Sequence, residues 1–259
     1  MEILITNDDG IDSPGIYALA QSLKEIGKVT VVAPQIEQSA VGHAITMQMP
    51  LRVTKSFKNG ELFGHAISGT PADCVKIGIR NIMDVPPDLV VSGINNGSNT
   101  AINIIYSGTV SAAREAAIMD VPSMALSVTN HAVTDFRFAA KIAKLLVLEF
   151  TGKEIPLGTL LNVNIPDVPE KDIAGILLTK QGKSKWDDVY EHRVDPQGRD
   201  YFWLTGNLME VDKTMDTDQI AIKNNYVSVS PIHFDLTDYE TFTKMKTWNI
   251  ERLLNGKQD

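Results

Sequence analysis

The first two thirds of the chain alternate short β-branched runs with helical patterns. The candidate strands are EILIT at 2–6, KVTVVAP at 28–34, DLVVSG at 88–93 and PSMALSV at 122–128. Strands that alternate with helices in this way are typical of βαβ units, in which the strands run parallel and the helices cover the sheet. We therefore predict an α/β fold with a Rossmann-like, mostly parallel sheet flanked by helices.

Four segments between these strands carry helical signals. The first lies between Pro14, which suits a helix start, and Gly27, which suits a helix end. The second begins after Thr70, which is a good N-cap residue, and Pro71 follows it. Two further helices are predicted at 109–119 and 135–150.

The alternation of strand and helix patterns ends near residue 180. Residues 181 to about 212 mix charges with five aromatic side chains around the turn sequence DPQG, which indicates a long β-hairpin arm that leaves the core. A strand at 224–232 and a terminal helix at 237–254 follow. We divide the chain into a catalytic core, 1–180, and a C-terminal part, 181–259, in which the arm, the returning strand and the helix serve oligomerisation.

Composition excludes some classes of partner. The chain has 24 Lys and Arg against 32 Asp and Glu, a net charge of -8, with no long basic block. A basic surface for a nucleic acid polymer or for an anionic membrane is therefore not expected. The N-terminus lacks the pattern of a secretory signal, and no apolar run is long enough to span a bilayer. With a single cysteine, Cys74, the expectation is a cytoplasmic protein.

Two adjacent aspartates, Asp8 and Asp9, follow the first strand. The carboxyl end of this strand is the usual binding crevice in a doubly wound sheet. Two carboxylates about 4 Å apart repel by about 4 kcal/mol at an effective dielectric constant near 20, against about 1 kcal/mol in water. A buried pair would need a proton or a cation, and Mg²⁺ or Mn²⁺ prefers such oxygen ligands. The alternative is that both residues lie in an exposed loop or cap the next helix.

Other oxygen donors follow neighbouring strands. Ser39 lies in the loop after the second strand, and Asn95 and Asn96 lie in the loop after the strand at 88–93. Both loops leave the same edge of a parallel sheet, so their oxygens can converge with those of the aspartates. Each of these residue types is also common in ordinary turns.

The start of the third helix offers a site for an anion. Ser107, Gly108 and Thr109, which we call the phosphate cradle, stand where unpaired N–H groups and the helix dipole favour a phosphate. The alternative is an ordinary helix cap.

Several motifs together carry a family resemblance. They are TNDDG, EQSAVGHAIT, SGTPADCV, DLVVSGINNGSN, YSGTVSAAREA, RVDPQGRDYFWLTG and YVSVSPIHFDLT. In this order, and over nearly the whole chain, the sequence closely resembles the survival protein SurE family of metal-dependent 5'-nucleotidases. The loop SAVGHA departs mildly from the family pattern, in which Gly often follows the serine.

The resemblance implies a Rossmann-like phosphatase that hydrolyses nucleoside 5'-monophosphates, with 3'-nucleotides as a further substrate class, and binds one divalent cation per subunit. It also implies a homodimer or homotetramer that exchanges C-terminal elements. By residue type, the implied metal ligands are Asp8, Asp9, Ser39 and Asn95. The implied substrate-binding residues are Asn96, Ser107, Gly108 and Thr109.

The mechanism expected from these residues is metal-assisted attack of water on a phosphomonoester, with Asp8 or Asp9 as the catalytic base. His43 and His65 are interpreted as structural residues. One rival is a receiver-like signalling domain, but it needs an aspartate at the end of a central strand, where this chain has Ser92 and Gly93. Another rival is a sensor that binds nucleotide with its metal and does not hydrolyse it.

Overall fold

A nine-stranded sheet forms the centre of the molecule. The computed structural model describes residues 1–248, 250 and 253. The strands are β1 (Glu2–Thr6), β2 (Lys28–Pro34), β3 (Val53–Lys58), β4 (Glu61–Ile67), β5 (Leu89–Asn96), β6 (Ser123–Val128), β7 (Thr159–Ile165), β8 (Gly175–Leu178), β9 (Lys185–Val194), β10 (Asp200–Met209) and β11 (Tyr226–His233). The large sheet has the order β3-β4-β2-β1-β5-β6-β7-β11-β8, and β9 and β10 form a separate two-stranded sheet.

Helices connect the strands. They are α1 (Pro14–Leu23), α2 (Pro71–Ile77), α3 (Asn103–Tyr106), α4 (Gly108–Ile118), α5 (Arg137–Phe150), α6 (Asp218–Lys223) and α7 (Tyr239–Met245). A π-helical turn continues α2, and a short 3-10 turn lies between β7 and β8. The prediction of a Rossmann-like, mostly parallel α/β fold is confirmed.

The sheet has a topological switch point at β1, because the strands that follow it in the chain are added first on one side of β1 and then on the other. Strands β4, β2, β1, β5, β6 and β7 all run parallel, with β2 on one side of β1 and β5 on the other. Thr6, the last residue of β1, stands opposite Ser92 of β5. Ligands bind at such a switch point in open α/β sheets, beyond the carboxyl ends of the strands. The fold therefore places the segment after Thr6 where a ligand crevice is expected.

Both faces of the sheet are buried, as expected for parallel strands. Because successive side chains of a strand point to opposite faces, Ile3 and Ile5 pack in one apolar core with α1 and α5, whereas Leu4 packs in a second core with α2 and α4. All three side chains are fully buried. This packing encloses β1 with apolar side chains on both faces of the sheet.

The predicted helix starts agree with the structure. Ser13 caps α1, with Pro14 as its first residue. Thr70 caps α2 by accepting a hydrogen bond from the N–H of Asp73, and the Asp73 carboxylate accepts one from the N–H of Thr70. This reciprocal pair is a capping box, which satisfies two N–H groups at the helix start.

The C-terminal part contains the predicted hairpin arm. Strands β9 and β10 pair antiparallel along ten residues each, from Lys185 opposite Met209 to Val194 opposite Asp200. Every residue of β9 is exposed. The exposed large apolar side chains of the arm include Trp186, Tyr190, Phe202, Trp203 and Leu204. Its role in oligomerisation, and the domain boundary at residue 180, stay predictions.

Some elements differ from the sequence expectation. The antiparallel pair β3 and β4, which extends the sheet at one edge, was not predicted. Strand β11 returns into the large sheet, antiparallel to β7 and parallel to β8, so residues beyond 180 complete the core sheet. The helix predicted at 237–254 is shorter: α7 ends at Met245 and a 3-10 turn covers Lys246–Trp248. The rest of that prediction falls largely outside the described residues.

Within the described part of the chain, no helix has both the length and the apolar character needed to cross a bilayer.

The capping box of α2 gives a stability prediction. Thr70→Ala removes the hydroxyl that accepts from the Asp73 N–H and donates to the Ala44 carbonyl at 2.7 Å. We expect a loss of about 1–2 kcal/mol in the free energy of unfolding, measured by urea denaturation. The exposed loop residue Thr134 provides the control, since Thr134→Ala should change stability by less than about 0.5 kcal/mol. Equal effects of the two substitutions would contradict a capping role.

Candidate active site

The paired aspartates lie just beyond β1, at the switch point of the sheet. Gly10, with a φ of +95°, turns the chain immediately after them. The N–H of Ile11 then donates to the carbonyl of Pro34 at the end of β2, at 2.9 Å. A positive φ of this kind is readily adopted only by glycine. The turn therefore keeps both aspartates at the carboxyl edge of the sheet instead of continuing the strand.

Asp8 is buried against the start of α4. Its Oδ1 accepts a hydrogen bond from the hydroxyl of Thr109 at 2.5 Å, and the backbone N–H of Thr109 also donates to the carboxylate. A Cβ at Gly108 would lie 2.8 Å from the Cβ of Asp8. Only a residue without a side chain allows this approach of helix and carboxylate. The structure therefore brings the predicted residues Asp8, Gly108 and Thr109 into contact.

Both aspartates hold their protons more tightly than usual. Burial raises the pKa of Asp8, although the hydrogen bonds from Thr109 oppose this change. Burial also raises the pKa of Asp9, to about 7, and the charges of Asp8 and Glu37 add to the increase. A hydrogen bond from the N–H of Asn96 opposes this increase in the pKa of Asp9 and offsets only part of it. The charge of Glu37 thus adds to that of the pair at this edge of the sheet.

No basic side chain compensates this charge within residues 1–248. The ion pairs of the described chain all involve other carboxylates. The described residues also contain no cluster of three or more His, Cys, Asp and Glu side chains suited to a metal. A cation at Asp8 and Asp9 would therefore need hydroxyl or amide oxygens as its further protein ligands, as Mg²⁺ and Mn²⁺ accept.

Ser39 lies in a loop that is fastened to the aspartates by its backbone. The N–H of Gln38 donates to the carbonyl of Asp8 at 2.8 Å. Ser39 itself is exposed, and its hydroxyl donates to the carboxylate of Glu37. The loop is thus where the sequence places it, but the hydroxyl of Ser39 is directed at Glu37.

Asn95 and Asn96 are the last residues of β5, which extends three residues further than predicted. The side-chain amide of Asn95 donates to the carbonyl of Gly97 at 2.7 Å, which leaves its oxygen as an acceptor. The side-chain oxygen of Asn96 is buried and has no hydrogen-bond partner among the described residues. An unpaired buried acceptor beside a carboxylate pair fits a site that binds a cation or a polar ligand.

The first turn of α4 is used in two ways. Ser107 is its N-cap, with the hydroxyl accepting from the N–H of Val110 at 3.1 Å, so the helix-cap alternative holds for this side chain. The N–H of Thr109 donates to Asp8, as described above. Among the described residues the N–H of Gly108 has no hydrogen-bond partner, and it stands at the helix start, where the dipole favours an anion. Of the three cradle residues, Ser107 thus serves as the helix cap and Thr109 binds Asp8, so the N–H of Gly108 is the cradle's candidate donor to an anion.

Sequence reasoning missed the acid that couples to the pair. Glu37 raises the pKa of both Asp8 and Asp9, and it stands two residues before Ser39 in the same loop. The sequence signal for Glu37 was its position in the same loop as the predicted ligand Ser39. His43, interpreted as structural, contacts the buried carboxylate of Glu115 at 2.7 Å.

Comparison with known proteins extends over nearly the whole chain. A protein-family model described as Survival protein SurE matches residues 3–188. The 5'-nucleotidase SurE of Chlorobaculum tepidum is 48% identical over 252 residues, 97% of this chain and 96% of the relative. The 5'-nucleotidase SurE of Syntrophobacter fumaroxidans is 49% identical over 250 residues, 96% of this chain and 100% of the relative. The crystal structure of the SurE protein from Aquifex aeolicus is 39% identical, with a TM-score of 0.84 over 96% of this chain and 100% of that chain.

The close approach at Gly108 gives a prediction for cation binding. In Gly108→Ala the new methyl group meets the Cβ of Asp8, which cannot rotate away, so the carboxylate must shift. We expect Mn²⁺ affinity to fall about tenfold or more, measured by isothermal titration calorimetry. The circular dichroism spectrum should stay unchanged and serves as the folding control. Wild-type Mn²⁺ affinity in this variant would contradict a cation site at Asp8.

The raised pKa of Asp9 predicts a pH-dependent penalty. Its pKa rises from the ordinary value of 3.8 to about 7, so between these pH values the folded state binds a proton that the unfolded chain lacks. Stability is therefore lost as the pH rises through this range. In a chelating buffer, Asp9→Asn should be more stable than wild type by about 1–3 kcal/mol at about pH 8, with little difference at about pH 4.

Urea denaturation at several pH values measures this difference. The exposed residue Asp12, in the same turn, provides the matched control, because Asp12→Asn removes a nearby charge without changing the pair. If the advantage of Asp9→Asn were the same at both ends of the pH range, the penalty would not come from ionisation of Asp9.

Proposed function

The chain belongs to the survival protein SurE family, and from this membership we propose that it is a metal-dependent 5'-nucleotidase, which hydrolyses nucleoside 5'-monophosphates to a nucleoside and phosphate. Activity on 3'-nucleotides belongs to the same proposal. The observation that carries it is the carboxylate pair Asp8 and Asp9, which has no cationic partner among the described residues; Asp8 is buried against a helix start and Asp9 is half-buried.

Asp8, Asp9, Ser39 and Asn95 would hold one divalent cation, Mg²⁺ or Mn²⁺. The donor set fits these ions because it is made of oxygen atoms only. The raised pKa of both aspartates supports the assignment, since a nearby positive charge would offset the cost of burial, and the smaller repulsion, that now favour protonation. When bound, such an ion supplies positive charge to a phosphate oxygen and to the attacking water.

The two aspartates differ in what they can do. Asp8 is held on both sides, by Thr109 and by the backbone of Gln38, and is therefore suited to a fixed ligand role. Asp9 is less buried and receives only the N–H of Asn96. We assign Asp9 as the general base that accepts a proton from the attacking water, because its carboxylate is the more accessible of the two.

The phosphate cradle supplies the other half of the site. The N–H of Gly108 and the positive end of the α4 dipole would bind phosphate oxygens. The side-chain amide of Asn96 would donate a further hydrogen bond, while its N–H orients Asp9. A protein with a net charge of -8 needs such local donors to bind an anionic substrate.

The oligomer is also part of the proposal. The arm formed by β9 and β10 carries exposed aromatic side chains, among them Trp186, Phe202 and Trp203. Such side chains are typical anchors of protein interfaces. They support a homodimer or homotetramer in which C-terminal elements are exchanged. The identity of the metal and a cytoplasmic location stay predictions from the sequence.

Hydrolysis is tested by phosphate release from AMP and GMP with Mn²⁺ or Mg²⁺, before and after chelation. We expect turnover that chelation abolishes, and a loss of at least about 100-fold in kcat for Asp9→Asn, since a general base contributes on this scale. Asp12→Asn is the control and should retain wild-type kcat. Turnover that survives chelation would contradict metal dependence. Bound but intact nucleotide after long incubation would favour the sensor alternative.

A further inference from the structure

The backbone of Ala101 is held by two residues that flank the hairpin arm in the chain, Gln181 before it and Asp218 after it. Its N–H donates to Oδ2 of Asp218 at 2.9 Å, and its carbonyl accepts from the side-chain amide of Gln181 at 2.9 Å. Ala101 is fully buried and has a positive φ of 48°, a conformation that non-glycine residues rarely adopt. We call Ala101, Gln181 and Asp218 the Ala101 clasp.

Asp218 joins three separate segments of the chain. Besides Ala101, the N–H of Gly182 donates to its Oδ1 at 2.9 Å and the N–H of Gln219 donates to the same atom at 2.7 Å. The residue is 0% exposed. A buried carboxylate is costly unless its oxygens accept hydrogen bonds, and here three backbone donors satisfy it. The metal site described above makes no use of this group.

A second set of buried polar groups holds the same segment from the sheet side. The side-chain amides of Asn162 and Asn164, both on β7, donate to the carbonyl of Asn99 at 2.8 and 3.1 Å. The N–H of Asn99 donates back to the oxygen of Asn164 at 2.8 Å, and its side chain donates to Ser127. Residues 99–101 are thus held by β7 on one side and by Gln181 and Asp218 on the other.

This segment leads directly into the phosphate cradle. Asn103 begins α3, and its carbonyl accepts from the N–H of Ser107, the N-cap of α4, at 3.1 Å. Its side-chain oxygen accepts from the indole N–H of Trp186, in the first part of β9, at 2.8 Å. The segment that leads to the cradle is therefore held at two points, by Asp218 at the start of α6 and by Trp186 of the arm.

We propose that Asp218 is a positioning residue for the phosphate cradle: by clamping Ala101 it fixes residues 101–107, the segment that leads into the cradle. This inference rests on the proposed function for its catalytic consequence. Asp218 acts through the backbone of residues 101–107 and touches neither substrate nor metal. The affinity for phosphate should therefore depend on it, whereas the affinity of the aspartates for the cation should not.

The test compares Asp218→Asn with Asp216→Asn. Asp216 lies two residues away, is exposed and pairs with Lys180, so it is a matched control outside the clasp. In Asp218→Asn the amide group turns a donor toward one of the backbone N–H groups, which leaves it unpaired. Gln181→Ala is the second variant, because Gln181 is exposed and its loss frees only the carbonyl of Ala101.

Two kinds of measurement are made on the full chain. Hydrogen exchange followed by mass spectrometry reports the order of residues 99–110 without requiring turnover. Kinetics with AMP, inhibition by inorganic phosphate and Mn²⁺ calorimetry separate the two halves of the site. For Asp218→Asn we expect faster exchange over 99–110, KM for AMP and the inhibition constant of phosphate raised about tenfold, and a Mn²⁺ affinity within about twofold of wild type. Gln181→Ala should show the same changes at smaller size.

The outcomes separate the inference from the proposed function. Wild-type exchange over 99–110 in both clasp variants, or wild-type phosphate affinity, would overturn the positioning role. Parallel loss of Mn²⁺ and phosphate affinity would also overturn it, because general structural damage moves both. If wild type does not hydrolyse AMP, the proposed function fails, while exchange together with calorimetric binding of inorganic phosphate still decides the role of Asp218. If Asp218→Asn does not fold, Gln181→Ala decides it.

Discussion

The burial of the Asp8 carboxylate against the first turn of α4 is the contact on which the site depends. It joins the end of β1 to the start of a helix about a hundred positions later, through the hydroxyl and the N–H of Thr109. Gly108 is required there because its Cα lies against the aspartate. The helix dipole stabilises the carboxylate at this end, and the same dipole attracts an anionic ligand. One contact therefore places the carboxylate pair and the start of a helix side by side.

Local sequence patterns predicted the parts of the molecule that local physics determines. Short β-branched runs marked β1, β2 and β6, and Pro14 and the cap residue Thr70 marked the helix starts. The convergence of the TNDDG and INNG loops followed from the rule that parallel strands end at one edge. By contrast, the pairing of β3 with β4 and the position of β11 depend on contacts between distant segments. Alternation of residue types carries no information about such partners.

Within the site, residue types were predictable and their contacts were not. The side chains of Asn99 and Asp218 look like ordinary loop and helix-start residues in the sequence, yet both are buried and bind backbone groups far away along the chain. Glu37 was overlooked because an acidic residue in a loop is usually solvated, whereas here its charge raises the pKa of two other carboxylates. For Asn99 and Asp218 it is burial, which a single sequence does not reveal, that makes common residue types determine the position of the backbone.

The position of β11 in the sheet determines how late in synthesis the sheet can be completed. Because β11 lies between β7 and β8, the far side of the sheet stays open until about 230 residues have left the ribosome. Until then β7 exposes unpaired backbone groups along one edge, and β8 lacks the strand with which it pairs in the described sheet, a state that favours aggregation. The hairpin arm lies between β8 and β11 in the chain, so it is synthesised before β11 completes the sheet.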